Sequence, residues 1–315
     1  PTKRKADNMK QNKIHYGFLN RTNPCFVPPL VAKQKNSGNG FTLVELLVVL
    51  ATLTVLALLL LPALAQTRQN SQVIQCQANQ RQLIVAWTMY ARDNNDKLVP
   101  VGSLGYQPAN LAENPLTDYQ LQPGGYLAQF CPGNLQNGQM TLGHYYTNWI
   151  KAGLIYPYLQ TTAVYKCPAD LSVCPFGAPS KFSVPSERTY SVNCYVGGME
   201  WWGDHSYKLF KKLTDMNRPG PSKTWVFIEE SPATVDDCFF ANDPAKPNLW
   251  YNSPAVLHGN VSVLAYADGH SEAHRWTDGN MIGDKNPQFP PGGNVPADPN
   301  SGDLAWFFSI TTTHN

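Results

Sequence analysis

The chain has 315 residues and a formal net charge of +2, enough for one large domain or two ordinary ones with a sizeable core. Only 15% of residues are charged, 11% are aromatic, and Gly and Pro number 23 and 26. That balance excludes a charge-rich disordered chain and a coiled-coil rod, and it gives no basic surface for generic nucleic-acid binding.

The charge is unevenly spread. Residues 1–40 carry eight Lys/Arg against one acid, Asp7, while residues 41–315 carry 16 basic and 21 acidic side chains. Between arm and body lies an apolar run, LLVVLATLTVLALLLL from Leu46 to Leu61, whose only polar residues are Thr52 and Thr54. The 22 uncharged residues between Glu45 and Arg68 span about 33 Å as a helix, enough to cross a hydrocarbon core of roughly 30 Å. The basic arm predicts a cytoplasmic N-terminal side and an exported body. Two other readings of the run are a buried core helix and a secretory signal peptide cut near Pro62-Ala63-Leu64-Ala65.

The residues before the run, Gly38-Asn39-Gly40-Phe41-Thr42-Leu43-Val44-Glu45, resemble the type IV prepilin signature. The resemblance implies cleavage after Gly40, N-methylation of the new first residue Phe41, and an assembly role for Glu45. It also implies a retained helix, with Pro62 where such pilins often bend. In a filament, Glu45 would meet the Phe41 amine of a neighbouring subunit, neutralising two charges that are costly in an apolar bundle. Placement of Glu45 at the headgroup level is the plainer alternative.

Beyond Arg68 the helical period continues. Val73, Cys76, Gln80, Leu83, Trp87 and Tyr90 step by three and four and form one stripe, predicted to pack on the body up to about Arg92. Unbroken from Phe41, such a helix would be roughly 78 Å long. Asp93-Asn94-Asn95-Asp96 then favours a turn; calcium on this cluster is a weaker alternative. From 100 to 250 the chain is rich in Pro, Gly, Asn and Tyr, predicting short strands in long loops, with strand candidates at Tyr190–Tyr195 and Thr224–Ile228. Trp201 and Trp202, in a glycine-rich stretch, are candidate recognition residues, with burial in the core as the alternative.

Near the C-terminus, Asp268-Gly269 separates Val261–Ala267 from His270–Trp276 and predicts a hairpin over 258–276, since both turn residues tolerate positive φ. The H-x9-D-G spacing of His258, Asp268 and Gly269 resembles a family of prepilin-like proteins named for that motif. Cys76 with Asn79 and Gln82, Tyr165–Asp170, Arg188–Ser191 and Pro221–Thr224 resemble the same family. A hydrogen bond from His258 to Asp268 at the hairpin's base is the expected role of that pair. His270 and His274 on one strand would lie some 13 Å apart, too far for one ion. No nucleophile elbow, phosphate loop or H-E-x-x-H helix is present, and no enzyme activity is expected.

Six cysteines follow Cys25: Cys76, Cys131, Cys167, Cys174, Cys194 and Cys238. An even number in an exported body suggests disulfides. Cys167 and Cys174 close the shortest loop and form the candidate bridge; without a C-x-x-C pair, no metal site is expected.

These readings together predict an α+β protein: a leader over 1–40, a transmembrane helix over 41–65, an amphipathic helix over 66–96, and a β-rich, loop-rich, pilin-like head over 97–315. The resemblance implies a structural, minor subunit of a type IV pilus-like or type II secretion pseudopilus. Its implied partners are prepilin peptidase, sister pilins or pseudopilins, and the inner-membrane assembly platform with its ATPase. An envelope-displayed glycan- or partner-binding protein on a single-span anchor, using Trp201 and Trp202, is the alternative, and a membrane-anchored hydrolase using His258 and Asp268 a third.

Overall fold

The structure, a computed structural model, describes residues 40–101, 130–131, 145–176, 182–197, 206–235, 238–282 and 295–315. The chain divides into two units, Pro1–Val55 and Leu56–Asn315. It is a mixed α+β protein with one long apolar N-terminal helix and a β-sheet region. Helix α1 covers Leu43–Asp93.

In the first unit, α1 starts with a reciprocal cap. Thr42 Oγ1 accepts the Glu45 backbone N–H at 3.2 Å, and Glu45 Oε2 accepts the Thr42 N–H at 2.8 Å. This is a capping box, which answers two helix N–H groups that have no partner within the helix. The large apolar residues from Phe41 to Val55 are all exposed. The two threonines turn their hydroxyls inward, Thr52 to Val49 O and Thr54 to Leu50 O and Ala51 O, so each polar group is satisfied by its own helix.

In the second unit, Leu56–Leu61 are exposed as well, and the pattern then changes. Cys76, Gln80, Leu83, Trp87 and Tyr90 are buried, joined by Asn79, Ile84, Ala86 and Ala91, with Val73 packed at the edge. The predicted stripe therefore forms one wall of the core. Asn95 and Asp96 end the helix with positive φ of 58° and 68°. Asp93 Oδ2 accepts the Tyr158 hydroxyl, and Asp96 Oδ2 accepts both the N–H and the hydroxyl of Thr214.

The central sheet has five strands in the order β5-β3-β4-β7-β8. These are β3 (Tyr190–Asn193), β4 (Trp225–Glu229), β5 (Phe239–Phe240), β7 (Val261–Tyr266) and β8 (Ser271–Arg275). All pairings are antiparallel except β3 with β5. Both predicted strand candidates are present, as β3 and β4. Two short pairs stand apart: β1 (Val173–Phe176) with β2 (Phe182–Pro185), and β6 (Leu249–Trp250) with β9 (Val295–Pro296). The smaller helices are α2 (Tyr145–Ala152), α3 (Tyr156–Leu159), α4 (Gly279–Ile282) and α5 (Asp303–Thr311).

Strand alternation gives the sheet two apolar faces. On β7, Val263 and Ala265 join the core built on α1, while Leu264 and Tyr266 join a second core with Trp225, Ile228, Phe240, Trp250, Trp276 and the α5 residues Leu304, Phe307 and Ile310. A register shift between Trp225 and Phe227 lets β4 place both Val226 and Phe227 on the α1 side. Three buried indoles of this second core keep their hydrogen bonds: Trp225 to Thr311, Trp250 to Asp278, Trp276 to Ser262. That is what lets such large rings with a polar edge lie inside.

Leu83 has no exposed surface, whereas Ile74 on the same helix is 64% exposed. Leu83→Ala is expected to cost about 2–5 kcal/mol and Ile74→Ala within about 0.5 kcal/mol, read by denaturant unfolding of the purified chain. Equal losses would contradict the packing of α1 described above.

Candidate functional site

The four chemically distinctive side chains of the second unit meet on the α1 side of the sheet. Cys76 comes from α1, Cys167 from the loop after the 3-10 turn Ala163–Tyr165, Glu229 from the end of β4, and His258 from the turn before β7. Cys76 Sγ lies 3.2 Å from Cys167 Sγ, and His258 Nε2 lies 3.3 Å from Cys76 Sγ, 3.2 Å from Cys167 Sγ and 3.2 Å from Glu229 Oε1. One ligand atom from each residue falls within 4.8 Å of all the others, and all four residues are buried. That is the reach of a single metal ion.

Each member is held by its surroundings. The Cys167 N–H donates to Thr189 Oγ1, whose hydroxyl donates to Asp170, and Asp170 in turn accepts the Ser172 N–H. Ala169 N–H donates to Cys167 Sγ at 3.3 Å. Glu229 Oε2 accepts the Val263 N–H at 2.8 Å, leaving Oε1 to face His258. On α1, Gln80 donates to Val263 O and Asn79 to Lys166 O, so one turn beyond Cys76 the helix is tied to both β7 and the Cys167 loop. Gly259 and Asn260, with φ of 68° and 64°, form the tight turn that presents His258. His258 Nδ1 is buried with no hydrogen-bond partner among the described residues, so Nε2 is the ring atom engaged.

Without a cation, protons are shared unequally here. The hydrogen bond from Cys76 holds the Cys167 thiol below its ordinary value and pushes Cys76 above it. Burial alone would lower His258, but its contacts with Cys167 and Glu229 outweigh that and raise it to about 10. The cluster therefore carries a strong demand for positive charge.

Several expectations are corrected. Cys167 forms no disulfide; its sulfur faces Cys76, and the backbone of Cys174 belongs to β1, paired with β2. His258 does not bond Asp268. Asp268 Oδ1 instead accepts the His270 N–H and meets His270 Nδ1 at 2.6 Å, at the far end of β7. The hairpin forms as predicted, but only Gly269 takes positive φ, at 99°: the loop is Ala267-Asp268-Gly269, closed by Gly269 N–H to Tyr266 O. The missing C-x-x-C pair does not keep Cys76 and Cys167 apart: with Glu229 and His258 they come from four separate elements and could together hold a metal ion. Glu229 was not anticipated, although an acid closing the apolar run Trp225-Val226-Phe227-Ile228 was its sequence signal. Trp201 and Trp202 lie outside the described residues.

His274 is separate from this centre. Its ring stacks on Trp306 at 3.7 Å and meets Trp276 edge-on at 4.5 Å. Burial holds its pKa below the ordinary value, opposed in part by Asp303 and Glu272. The folded chain thus binds fewer protons than the unfolded chain in the window below about pH 6.5. Its contribution to stability is full above that pH and is lost as pH falls through the folded pKa. In thermal melts between pH 7 and 5, His274→Phe, which keeps an aromatic ring, is expected to flatten the acid-side loss relative to the parent chain; an unchanged slope would exclude His274 as its source. Protein-family models, curated proteins and solved structures contain no match to this chain.

Proposed function

We propose that the chain is a membrane-anchored structural subunit, minor in its filament, of a type IV pilus-like or type II secretion pseudopilus. The observation that carries this reading is the first part of α1. From Phe41 to Leu64 its large apolar side chains are between 44% and 73% exposed on all sides, which is stable only in lipid or among like helices. Thr52 and Thr54 add no unsatisfied polar group to that surface. In this reading the precursor is cut between Gly40 and Phe41 by prepilin peptidase, Phe41 is N-methylated, and the head is exported on a single-pass anchor in the inner membrane.

Glu45 is the charged group at the edge of the apolar segment, and its carboxylate accepts the N–H and hydroxyl of Thr42 just before the helix. In this reading the Glu45 carboxylate receives the Phe41 amine of a neighbouring subunit, and sister pilins with the assembly platform and its ATPase are the partners. Pairing these two charges offsets the cost of holding either in a dry bundle.

Intact-mass and N-terminal peptide analysis of protein purified from its own membrane tests the reading. The expected chain begins with methylated Phe41. A chain that retains residues 1–40, or one that begins after Ala65, would overturn it. Glu45→Gln is expected to be processed normally yet fail to enter filaments, seen by comparing membrane and sheared-filament fractions.

A further inference from the structure

We propose that Cys76, Cys167, Glu229 and His258 bind one zinc ion in a closed, tetrahedral, structural site that fastens α1 to the sheet. The site lies wholly within the second unit and stands whether or not the chain enters a filament.

The distances favour an ion at the centre over the two other ways of satisfying these groups. A tetrahedral zinc ion, with Zn–S of about 2.3 Å and Zn–N or Zn–O of about 2.0–2.1 Å, sets its ligand atoms roughly 3.3–3.8 Å apart. Four of the six ligand pairs lie 3.2–3.3 Å apart and the two between Glu229 and the sulfurs within 4.8 Å, so the cage forms with outward movement of the sulfurs and inward movement of Glu229 where needed. A disulfide between Cys76 and Cys167 needs about 2.05 Å, and the sulfurs are 3.2 Å apart. A hydrogen-bonded cluster fits poorly as well. His258 Nε2 carries at most one proton, directed along one line in the ring plane, yet three partners surround it at nearly equal distance. One cation answers all four donors at once.

The donor set names the metal. Two sulfurs, one imidazole nitrogen and one carboxylate oxygen in a four-coordinate arrangement suit zinc; calcium and magnesium take oxygen ligands in larger shells. All four residues are buried, as a structural rather than an open catalytic site requires. The outer contacts have the form that tunes such a site: Ala169 N–H on the Cys167 sulfur, and Val263 N–H on the second oxygen of Glu229. These two amides spread the negative charge that remains when two thiolates and a carboxylate surround a divalent ion.

The experiment uses the full chain, made without a polyhistidine tag and solubilised in detergent. Elemental analysis is expected to find one zinc per chain, and cobalt exchanged into it should show the visible bands of a tetrahedral thiolate complex. Chelation should lower the melting temperature and added zinc restore it. Glu229→Gln, nearly isosteric, should weaken zinc binding by at least the roughly 10–100-fold typical of a lost outer partner, while His270→Ala, a histidine outside the site, should leave it intact. Because a ligand variant can fail to fold, the unaltered chain decides. A zinc-free chain from zinc-supplemented cells, another metal in stoichiometric amount, or a peptide map joining Cys76 to Cys167 would each overturn the proposal.

Discussion

Glu229 and His258 have no side-chain surface open to water, and they sit where an apolar interior gives a carboxylate and an imidazole nothing to dissolve in. On the α1 side of the sheet, Cys76, Cys167 and the Val263 amide meet that demand. Helix α1 has to cross β7 at a height that brings Cys76 over the end of β4, and Asn79 and Gln80 fix that height through Lys166 O and Val263 O. The loop carrying Cys167 is fastened to Thr189, which places it beside β3. With any of these elements displaced, a buried charge would lose its partner, a far larger penalty than the loss of an ordinary apolar contact.

The opposite face of the sheet solves a different problem. There the sheet meets a layer of indole and phenyl rings, with Trp225, Phe240, Trp250, Trp276 and Phe307 in mutual contact at centroid distances of 5.0–6.1 Å. Their burial is non-directional, and the indole N–H groups supply what orientation there is. Both faces of the sheet are apolar, and the α1 side differs in holding a buried cluster of four polar groups within its hydrophobic core. Strand alternation sorts residues between the two faces on β7, as Val263 and Leu264 show, while the register shift in β4 sends both Val226 and Phe227 to the α1 side.

The amphipathic stripe on α1 was legible because a period of three and four is a local property, and so were β3, β4 and the Asp268-Gly269 hairpin. The four-residue centre was not. Cys76 and His258 are 182 positions apart, and nothing along the chain announces that a helix and a sheet will bring them together. Reading cysteines by proximity led to Cys167–Cys174, but β1 commits the backbone of Cys174 to a separate two-stranded pair. His258 and Asp268 were read as partners because both belong to one motif, yet the six residues of β7 put roughly 20 Å between its ends. The Thr42–Glu45 cap was fully written in Thr42-Leu43-Val44-Glu45; the same glutamate had been assigned only an assembly role. The shape of the cap needed no tertiary structure, whereas the buried centre existed only once the fold did.

The fixed interval between His258 and Asp268 acquires a plain meaning from β7. It is a ruler: a two-residue turn, six strand residues and one loop residue separate the buried imidazole from the aspartate that shapes the exposed turn. Because side chains alternate, inserting one residue would exchange the faces of β7, sending Leu264 towards α1 and Val263 towards the aromatic layer. A two-residue change would preserve the faces while lifting the hairpin tip by a full pleat. The spacer therefore carries length as information, alongside the buried side chains with which β7 fills both faces of the sheet.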